Sequence, residues 1–373
     1  MCKRVMKHQT TPYGEIPFYK IGTFGNTADA FISKKLFLEY KTKYSFPKKG
    51  DILISASGTI GRAVIYDGKP AYFQDSNIVW IDNDETLVKN DFLFYAYSNI
   101  KWNTEHTTIL RLYNDNFRNT LIPLPPLNEQ IAIANVLSDV DHYLYSLDAL
   151  ILKKEGVKKA LSFELLSQRK RLKGFNQAWQ KVRLGDIAEI KRGASPRPIE
   201  NPKWFCANSN VGWVRISDIS KNSRFLYKTA QKLSKKGIEK SRFVKQNSLI
   251  MSMCATIGKP IITKIDTCIH DGFVVFENPK IDLNYLYYFL CYIEKEWLES
   301  GQQGSQVNLN VDLIKNKEVF CPKDLNEQAA IANVLSGLDS EIISLKNKKR
   351  QFENVKKALN HDLMSAKIRV LKK

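Results

Sequence analysis

The residues in this chain whose types and spacing bear on chemistry are Glu-x-Lys pairs, a His-Asp step, glycine turns and amide-rich runs. A nuclease needs clustered carboxylates and a lysine to hold Mg2+. Glu-x-Lys occurs as Glu39–Lys41 and Glu189–Lys191, but no Pro-Asp precedes either. An amino-methyltransferase needs a glycine-rich cofactor loop and an Asn/Asp-Pro-Pro-aromatic run. Pro125-Pro126 lacks both the preceding polar residue and the aromatic. No G-x-x-x-x-G-K-[S/T] run is present for ATP. SGTIG (57–61) and ATIG (255–258) read as tight turns beside strands rather than phosphate loops. His270-Asp271 reads as a structural contact rather than a catalytic dyad. The six cysteines, at 2, 206, 254, 268, 291 and 321, form no CxxC pair, and the five histidines do not cluster with them. Reduced thiols in a cytoplasmic protein are expected, with no metal site and no disulfide framework. The residues therefore predict a chain that is not itself an enzyme and holds no cofactor of its own.

Side chains suited to nucleic acid are plentiful. Lys and Arg number 57 against 38 Asp and Glu, a net charge of +19, which implies a polyanionic partner. Arg111, Tyr113, Asn114, Asn116 and Arg118 crowd one predicted loop. GQQGSQVNLN (301–310) takes the corresponding place later in the chain and carries Gln302, Gln303, Ser305, Gln306 and Asn308. Arginine pairs with guanine edges, and Asn or Gln pairs bidentately with adenine. Lys34, Lys35, Arg192, Arg197, Lys203, Lys221 and Arg224 are candidate phosphate ligands. No apolar run approaches the ~18 residues of a membrane span. MCKRVMKH is basic, but no apolar segment follows it, so no signal peptide is expected.

These residues must be positioned by something, and the chain says what twice. LNEQIAIANVLSDVD (127–141) returns as LNEQAAIANVLSGLD (325–339), and the offset of 198 holds without slipping from Leu127 to Ser167, with 22 identities in 41 positions. That is an internal duplication. Each copy predicts a long helix. Pro125 and Pro126 keep the approach extended, Asn128 is the expected N-cap, and Glu129 sits in the positively polarised first turn. Pro322, Asn326 and Glu327 repeat the arrangement.

Apolar positions follow at helical spacing: Leu137, Val140, Leu144, Leu147, Ile151, Val157, Leu161 and Leu165, then Leu335, Leu338, Ile342, Leu345, Phe352, Val355, Leu359 and Leu363. The heptad-like register shifts near Lys154 and Phe352. Lys153, Lys154, Lys158 and Lys159, and Lys346 with 348–350, are expected on a solvated face. A narrow stripe on a helix of ~44 residues, ~65 Å long, needs a partner, and the nearest is the other copy. A parallel pair would require the intervening ~150 residues to join points ~65 Å apart, whereas such a domain has a radius of gyration of only ~15 Å. The pair is therefore predicted to be antiparallel.

The segments ahead of each helix match more loosely. FPKKGDILISASGTIGRAVI faces FVKQNSLIMSMCATIGKPII, FQDSNIVWI faces CIHDGFVVF, and DFLFYAYSNI faces NYLYYFLCYI. Short β-rich runs, glycine turns and an aromatic helical stretch predict a small α+β domain in each half. AWQKVRLGDIAEIKRG (178–193) opens the second domain and has no equivalent in the first, whose CKRVMK already aligns near IKRG. A late chain start and a piece supplied in another way are both open readings.

PLPPLNEQIAIANVL followed by a Lys-rich helix ending KKALSFELLS resembles the conserved regions of the specificity subunit of type I restriction-modification systems. PKDLNEQAAIANVL with KKALNHDLMS matches in the second copy, and WQKVRLGDIAEIKRG is similar to that family's usual opening of a recognition domain. The resemblance implies an α+β fold with two α/β target recognition domains, 1–126 and 173–324. These alternate with two spacer helices, 127–172 and 325–373, packed as an antiparallel coiled coil with pseudo-twofold symmetry. It implies that each domain reads one half of an asymmetric bipartite duplex DNA target while the helices set the gap. Its partners are then methyltransferase subunits, which bind S-adenosylmethionine and modify adenine, and restriction subunits in a larger complex. ATP and Mg2+ belong to those partners. By the same likeness Asn128, Glu129, Gln130, Asn326, Glu327 and Gln328 face the methyltransferases, although capping and core packing would equally occupy them. The rival expectation is a coiled-coil scaffold without sequence-specific DNA binding. Duplex binding whose log affinity falls linearly with log salt is expected. A titration series across salt checks this, and salt-insensitive or absent binding favours the scaffold.

Overall fold

The computed structural model describes residues 1–102, 110–299 and 309–371. They form two units, Met1–Ala149 with Lys346–Lys373, and Leu150–Leu345.

In the first unit the order is β1 (Ile16–Tyr19), β2 (Phe31–Ile32), α1 (Lys34–Lys43), β3 (Ile52–Ser55), β4 (Ala63–Ile65), β5 (Tyr72–Phe73), β6 (Ile78–Trp80), α2 (Asn90–Tyr97) and α3 (Asn114–Arg118). The long helix α4 (Leu127–Leu166) then begins. Two three-stranded sheets have the orders β2-β1-β5 and β4-β3-β6. β1 runs parallel to β5, and β3 runs antiparallel to both its neighbours. Aromatic and branched side chains, among them Phe18, Phe24, Phe37, Leu53, Tyr72 and Ile78, fill the core.

The second unit comprises β7 (Gln180–Arg183), α5 (Leu184–Ile187), β8 (Glu189–Arg192), β9 (Gly212–Val214), α6 (Ile216–Ser220), β10 (Phe225–Leu226), β11 (Gln231–Lys232), α7 (Lys235–Glu239), β12 (Arg242–Val244), β13 (Leu249–Ser252), β14 (Pro260–Thr263), β15 (Thr267–Ile269), β16 (Phe273–Glu277), α8 (Leu283–Tyr292), α9 (Glu294–Glu299), α10 (Val311–Asn316) and β17 (Glu318–Cys321). It also takes the start of the second long helix, α11 (Leu325–Met364). Its sheets are β10-β14-β13-β16-β8, β11-β9-β15-β12 and β17-β7. The central strands β14-β13-β16 repeat β4-β3-β6, and β11-β9-β15 repeat β2-β1-β5. The 178–193 segment supplies β7, α5 and the edge strand β8, for which the first unit has no counterpart among the described residues.

The glycine runs are turns, as their repetition predicts. Gly61 N–H donates to Ser55 O and Gly258 N–H to Ser252 O, each at 2.9 Å. Both glycines have positive φ, 79° and 77°, and a Cβ on either would collide with an indole, Trp102 and Trp297 respectively. Glycine is required there by backbone and by space.

Both long helices are 40 residues, about 60 Å at ~1.5 Å per residue. They start two residues earlier than Asn128 and Asn326 would set as caps. The Gln130 N–H donates to Pro126 O at 2.9 Å, and the Asp324 carboxylate accepts from Asn326 N–H at 2.8 Å. Within the first unit the early half of α4 meets the late half of α11: Lys356 reaches Asp141 at 2.5 Å and Lys349 reaches Asp148 at 2.7 Å. Within the second unit Lys154 reaches Glu341 at 2.7 Å and Lys158 reaches Asp339 at 2.5 Å. In each case a step forward on one helix is a step back on the other, so the pairing is antiparallel.

Two expectations about these helices need correcting. Val157 and Val355 do not lie in the seam; they are 40% and 53% exposed. The register shift brings their neighbours Lys158 and Lys356 inward instead, half-buried and paired with aspartates. Lys154, Lys158 and Lys349 therefore belong to interhelical ion pairs and not to a freely solvated face.

The aspartates do more. Asp339 also accepts from Tyr288 OH at 2.7 Å, and Asp141 from Tyr95 OH at 2.8 Å. Burial, and then the aspartate, push both phenols above their ordinary pKa. Asp339→Ala strands a half-buried lysine and a buried phenol, so the urea-unfolding transition of the second unit should lose about 2–3 kcal/mol, and Asp339→Asn less. Gly258→Ala should cost about 2–4 kcal/mol by the same measurement, from strain at positive φ and collision with Trp297.

Candidate nucleic-acid interface

The duplicated L-N-E-Q block closes each unit on the start of its long helix. In the first unit Gln130 accepts from the Lys89 N–H at 2.8 Å and donates to Leu87 O and Pro125 O. In the second, Gln328 accepts from the Asp282 N–H and donates to Pro322 O, both at 2.8 Å. Glu327, 1% exposed, takes a two-pronged bond from Arg171 at 3.0 and 2.6 Å and a third from Trp179 Nε1 at 3.2 Å. Glu129 takes the same two-pronged bond from Arg369, which holds its carboxyl below the usual carboxylate range. Both glutamates and both glutamines are buried, while Asn128 and Asn326 are exposed. Sequence reasoning missed the arginine partners, although extending the offset of 198 pairs Arg171 with Arg369.

The predicted DNA-binding residues fall into several groups. Lys34 and Lys35 are exposed in the first turn of α1. Lys203 is exposed, its ammonium 4.4 Å from the Trp204 ring centroid, and Lys221 is exposed after α6. The stretch expected to be a loop around Asn114 is the short helix α3, preceded by Tyr113, whose N–H donates to Asn116 Oδ1 at 2.6 Å. Asn114 is exposed there, and Arg118 pairs with Asp115 at 3.5 Å. Arg224 is packed inward, donating to Tyr288 OH at 3.0 Å and Asn284 Oδ1 at 2.6 Å and lying over the Phe225 ring at 4.8 Å. Gln302, Gln303, Ser305, Gln306 and Asn308 lie outside the described residues.

Three arginines are brought to turns between strands. Arg192, at the end of β8, donates to Asp271 O at 2.8 Å, and Arg197 meets the Asp271 carboxylate at 3.3 Å. Ser195 Oγ donates to Asp271 Oδ1 at 2.8 Å, and that bond is the main reason the Asp271 carboxyl sits below its ordinary range. In the first unit the Arg111 guanidinium donates to Ser76 O. It lines an open cleft of about 570 Å³ with Arg4, Lys7, Lys20, Gln74 and Asn77. Arg4, Gln74, Asn77, Ser195 and Asp271 were not singled out as DNA contacts from the sequence, because their neighbours are distant along the chain.

The remaining chemistry is spoken for. Lys191 bridges Glu189 at 3.0 Å and Glu277 at 2.6 Å, while Lys41 lies over the Phe37 and Phe46 rings. His270 Nδ1 accepts from the Gly272 N–H at 2.9 Å. A dyad would need that nitrogen to donate to Asp271, and burial pushes the His270 pKa down. Burial likewise pushes the thiols of Cys2, Cys268 and Cys291 up to about 12. Among the described residues no three His, Cys, Asp or Glu gather as a metal would require, and no helix is long and apolar enough to cross a membrane.

Comparison with known proteins follows the same division. The family model for the type I restriction modification DNA specificity domain matches residues 1–154 and 176–354. The type I restriction enzyme MjaVIII specificity subunit of Methanocaldococcus jannaschii is 27% identical over 372 residues, spanning 92% of this chain and 84% of that protein. A Haemophilus influenzae protein described as a type I restriction enzyme specificity subunit is 64% identical over 138 residues, 37% of this chain. The match spans only 36% of that relative's length. The crystal structure of the type I restriction-modification system S subunit from M. genitalium shares the fold at a TM-score of 0.60 with 17% identity, over 97% of this chain and 92% of that one. With both halves of the sequence matched, this chain belongs to the family of type I restriction-modification DNA specificity domains.

Proposed function

We propose that the chain is the sequence-reading subunit of a type I restriction-modification assembly, with each unit reading one half of an asymmetric, bipartite duplex target. The reading is carried by the repeat itself. The residues in and just after the long helices that tie them to the units recur at an offset of 198, while the polar residues at the reading edges do not. A frame kept twice with two different edges is what reading two unlike half-sites requires. The net charge of +19 supplies the phosphate attraction.

The proposed domain division is the one read from the sequence, 1–126 and 173–324 as readers and 127–172 and 325–373 as spacers. Lys34, Lys35, Lys203 and Lys221 hold phosphates in this scheme. The starts of the long helices dock two methyltransferase subunits, and the exposed members of the block carry that contact: Leu127, Asn128 and Ile131 on one, Leu325, Asn326 and Val334 on the other. Those subunits bind S-adenosylmethionine, restriction subunits with ATP and Mg2+ join them in the cytoplasm, and this chain performs no catalysis.

Selection from randomised duplex DNA, using the chain co-purified with methyltransferase subunits, should return two unlike short motifs separated by a fixed unspecified gap. A single contiguous motif overturns the reading. Removing matched seven-residue pieces from both long helices shortens each by ~10 Å, about three base pairs. The gap should contract accordingly with both half-sites intact, and altered base preference would rule out the spacer role.

A further inference from the structure

The turn joining β15 to β16 in the second unit and the turn joining β5 to β6 in the first occupy the same place in the repeated strands, and both are charged by arginine. The arginines are not repeats of each other. Arg192 lies 79 residues before Asp271, whose carbonyl it bonds, whereas Arg111 lies 35 residues after Ser76. Within the helical repeat, residues that hold the frame recur at the fixed offset, as Asp141 and Asp339 do. An arginine brought to the same carbonyl by different routes answers to what lies outside the turn.

The support beneath each turn is firm. In the second unit Gly193 lies so close to His270 that a Cβ would collide with the His270 carbonyl. The His270 ring packs edge-on against Phe273 at 4.6 Å. Asp271 binds Ser195 and Arg197 through its carboxylate, and Arg242 Nε donates to Arg192 O at 3.2 Å. Arg197 is 75% exposed, so its guanidinium is oriented yet accessible. In the first unit Gln74 Oε1 accepts from the Ile21 N–H at 3.0 Å and Asn77 Oδ1 accepts from Ser57 Oγ at 2.8 Å, which fixes both amides at the floor of the cleft.

We propose that this turn is the base-reading edge of each unit: Arg197, positioned by Asp271 beside Arg192, meets a guanine edge in the second unit's half-site, and Arg111 with Gln74 and Asn77 serves the first. The inference rests on the two-part reading above and assigns residues to it. A guanidinium pinned by a carboxylate loses little freedom on binding and offers a fixed fork. That suits bidentate base contact better than a loose phosphate contact.

The test is the same selection, run with Arg197→Lys, Asp271→Asn and Arg111→Lys. Arg197→Lys keeps the charge and removes the fork. It should weaken discrimination at one or two positions of one half-site roughly five- to hundredfold, with the other half-site, the salt slope and the urea midpoint unchanged. Asp271→Asn should loosen the same positions, and Arg111→Lys should act on the opposite half-site. Unchanged preferences in Arg197→Lys and Asp271→Asn, with a wild-type two-part motif, overturn this inference and leave the parent reading standing. So does an Arg197→Gln variant that loses about one unit of salt slope with base preference intact, since that identifies a phosphate contact. A wild-type complex without base preference removes both.

Discussion

A half-buried carboxylate cannot be left alone, and in each unit one such group joins three elements. Asp141 on α4 receives Lys356 from α11 and Tyr95 from α2. Asp339 on α11 receives Lys158 from α4 and Tyr288 from α8. The lysines also lie near the faces of those tyrosines, at 5.5 and 5.9 Å. Sliding either helix by one residue would separate charge from countercharge and leave a phenol without an acceptor. Apolar seams tolerate such slips more readily than paired charges do. The helix register and the seating of each aromatic helix therefore depend on the same atoms. The Glu-Arg pairs at the helix starts, Glu129 with Arg369 and Glu327 with Arg171, provide a second fixed point in each unit.

Much of this frame was legible. The undisturbed offset gave both helices, the size of the domain between them gave their antiparallel pairing, and the looser match between the domains gave the glycine turns. None of these gave the behaviour of Val157 and Val355, because periodicity counts apolar residues and cannot weigh a buried ion pair against a methyl group. The same limit hid the aspartates: Asp141 and Asp339 are identical in the repeat, but nothing local says that a tyrosine elsewhere will reach them. The site was less legible than the frame. Arg224 has the composition of a phosphate ligand, yet its guanidinium is committed to Tyr288 and Asn284. Arg192 and Arg197 meet Asp271 only because β8 is added to the edge of β16, a pairing between segments some eighty residues apart.

The family and the fold agree on what is kept. The two sheets are built on one strand order in both units, and the pieces that differ are added at edges: β8 and β10 flank a three-stranded core in the second unit, and Arg111 takes the place of a strand-end arginine in the first. Low identity with a shared fold, as with the M. genitalium subunit, is what this economy produces. The packing that builds the frame is satisfied by residue class, whereas side chains that the turns expose, such as Arg197, carry little packing constraint.

Gly61 and Gly258 carry a consequence of another kind. Each is pressed against a tryptophan, Trp102 or Trp297, so the turn and the indole fill one space between them. A side chain fits at either glycine only if its tryptophan is cut back at the same time. A single substitution at either glycine is thus costly. Change in this architecture therefore costs least on the rim, or when a whole module is exchanged together with its tryptophan.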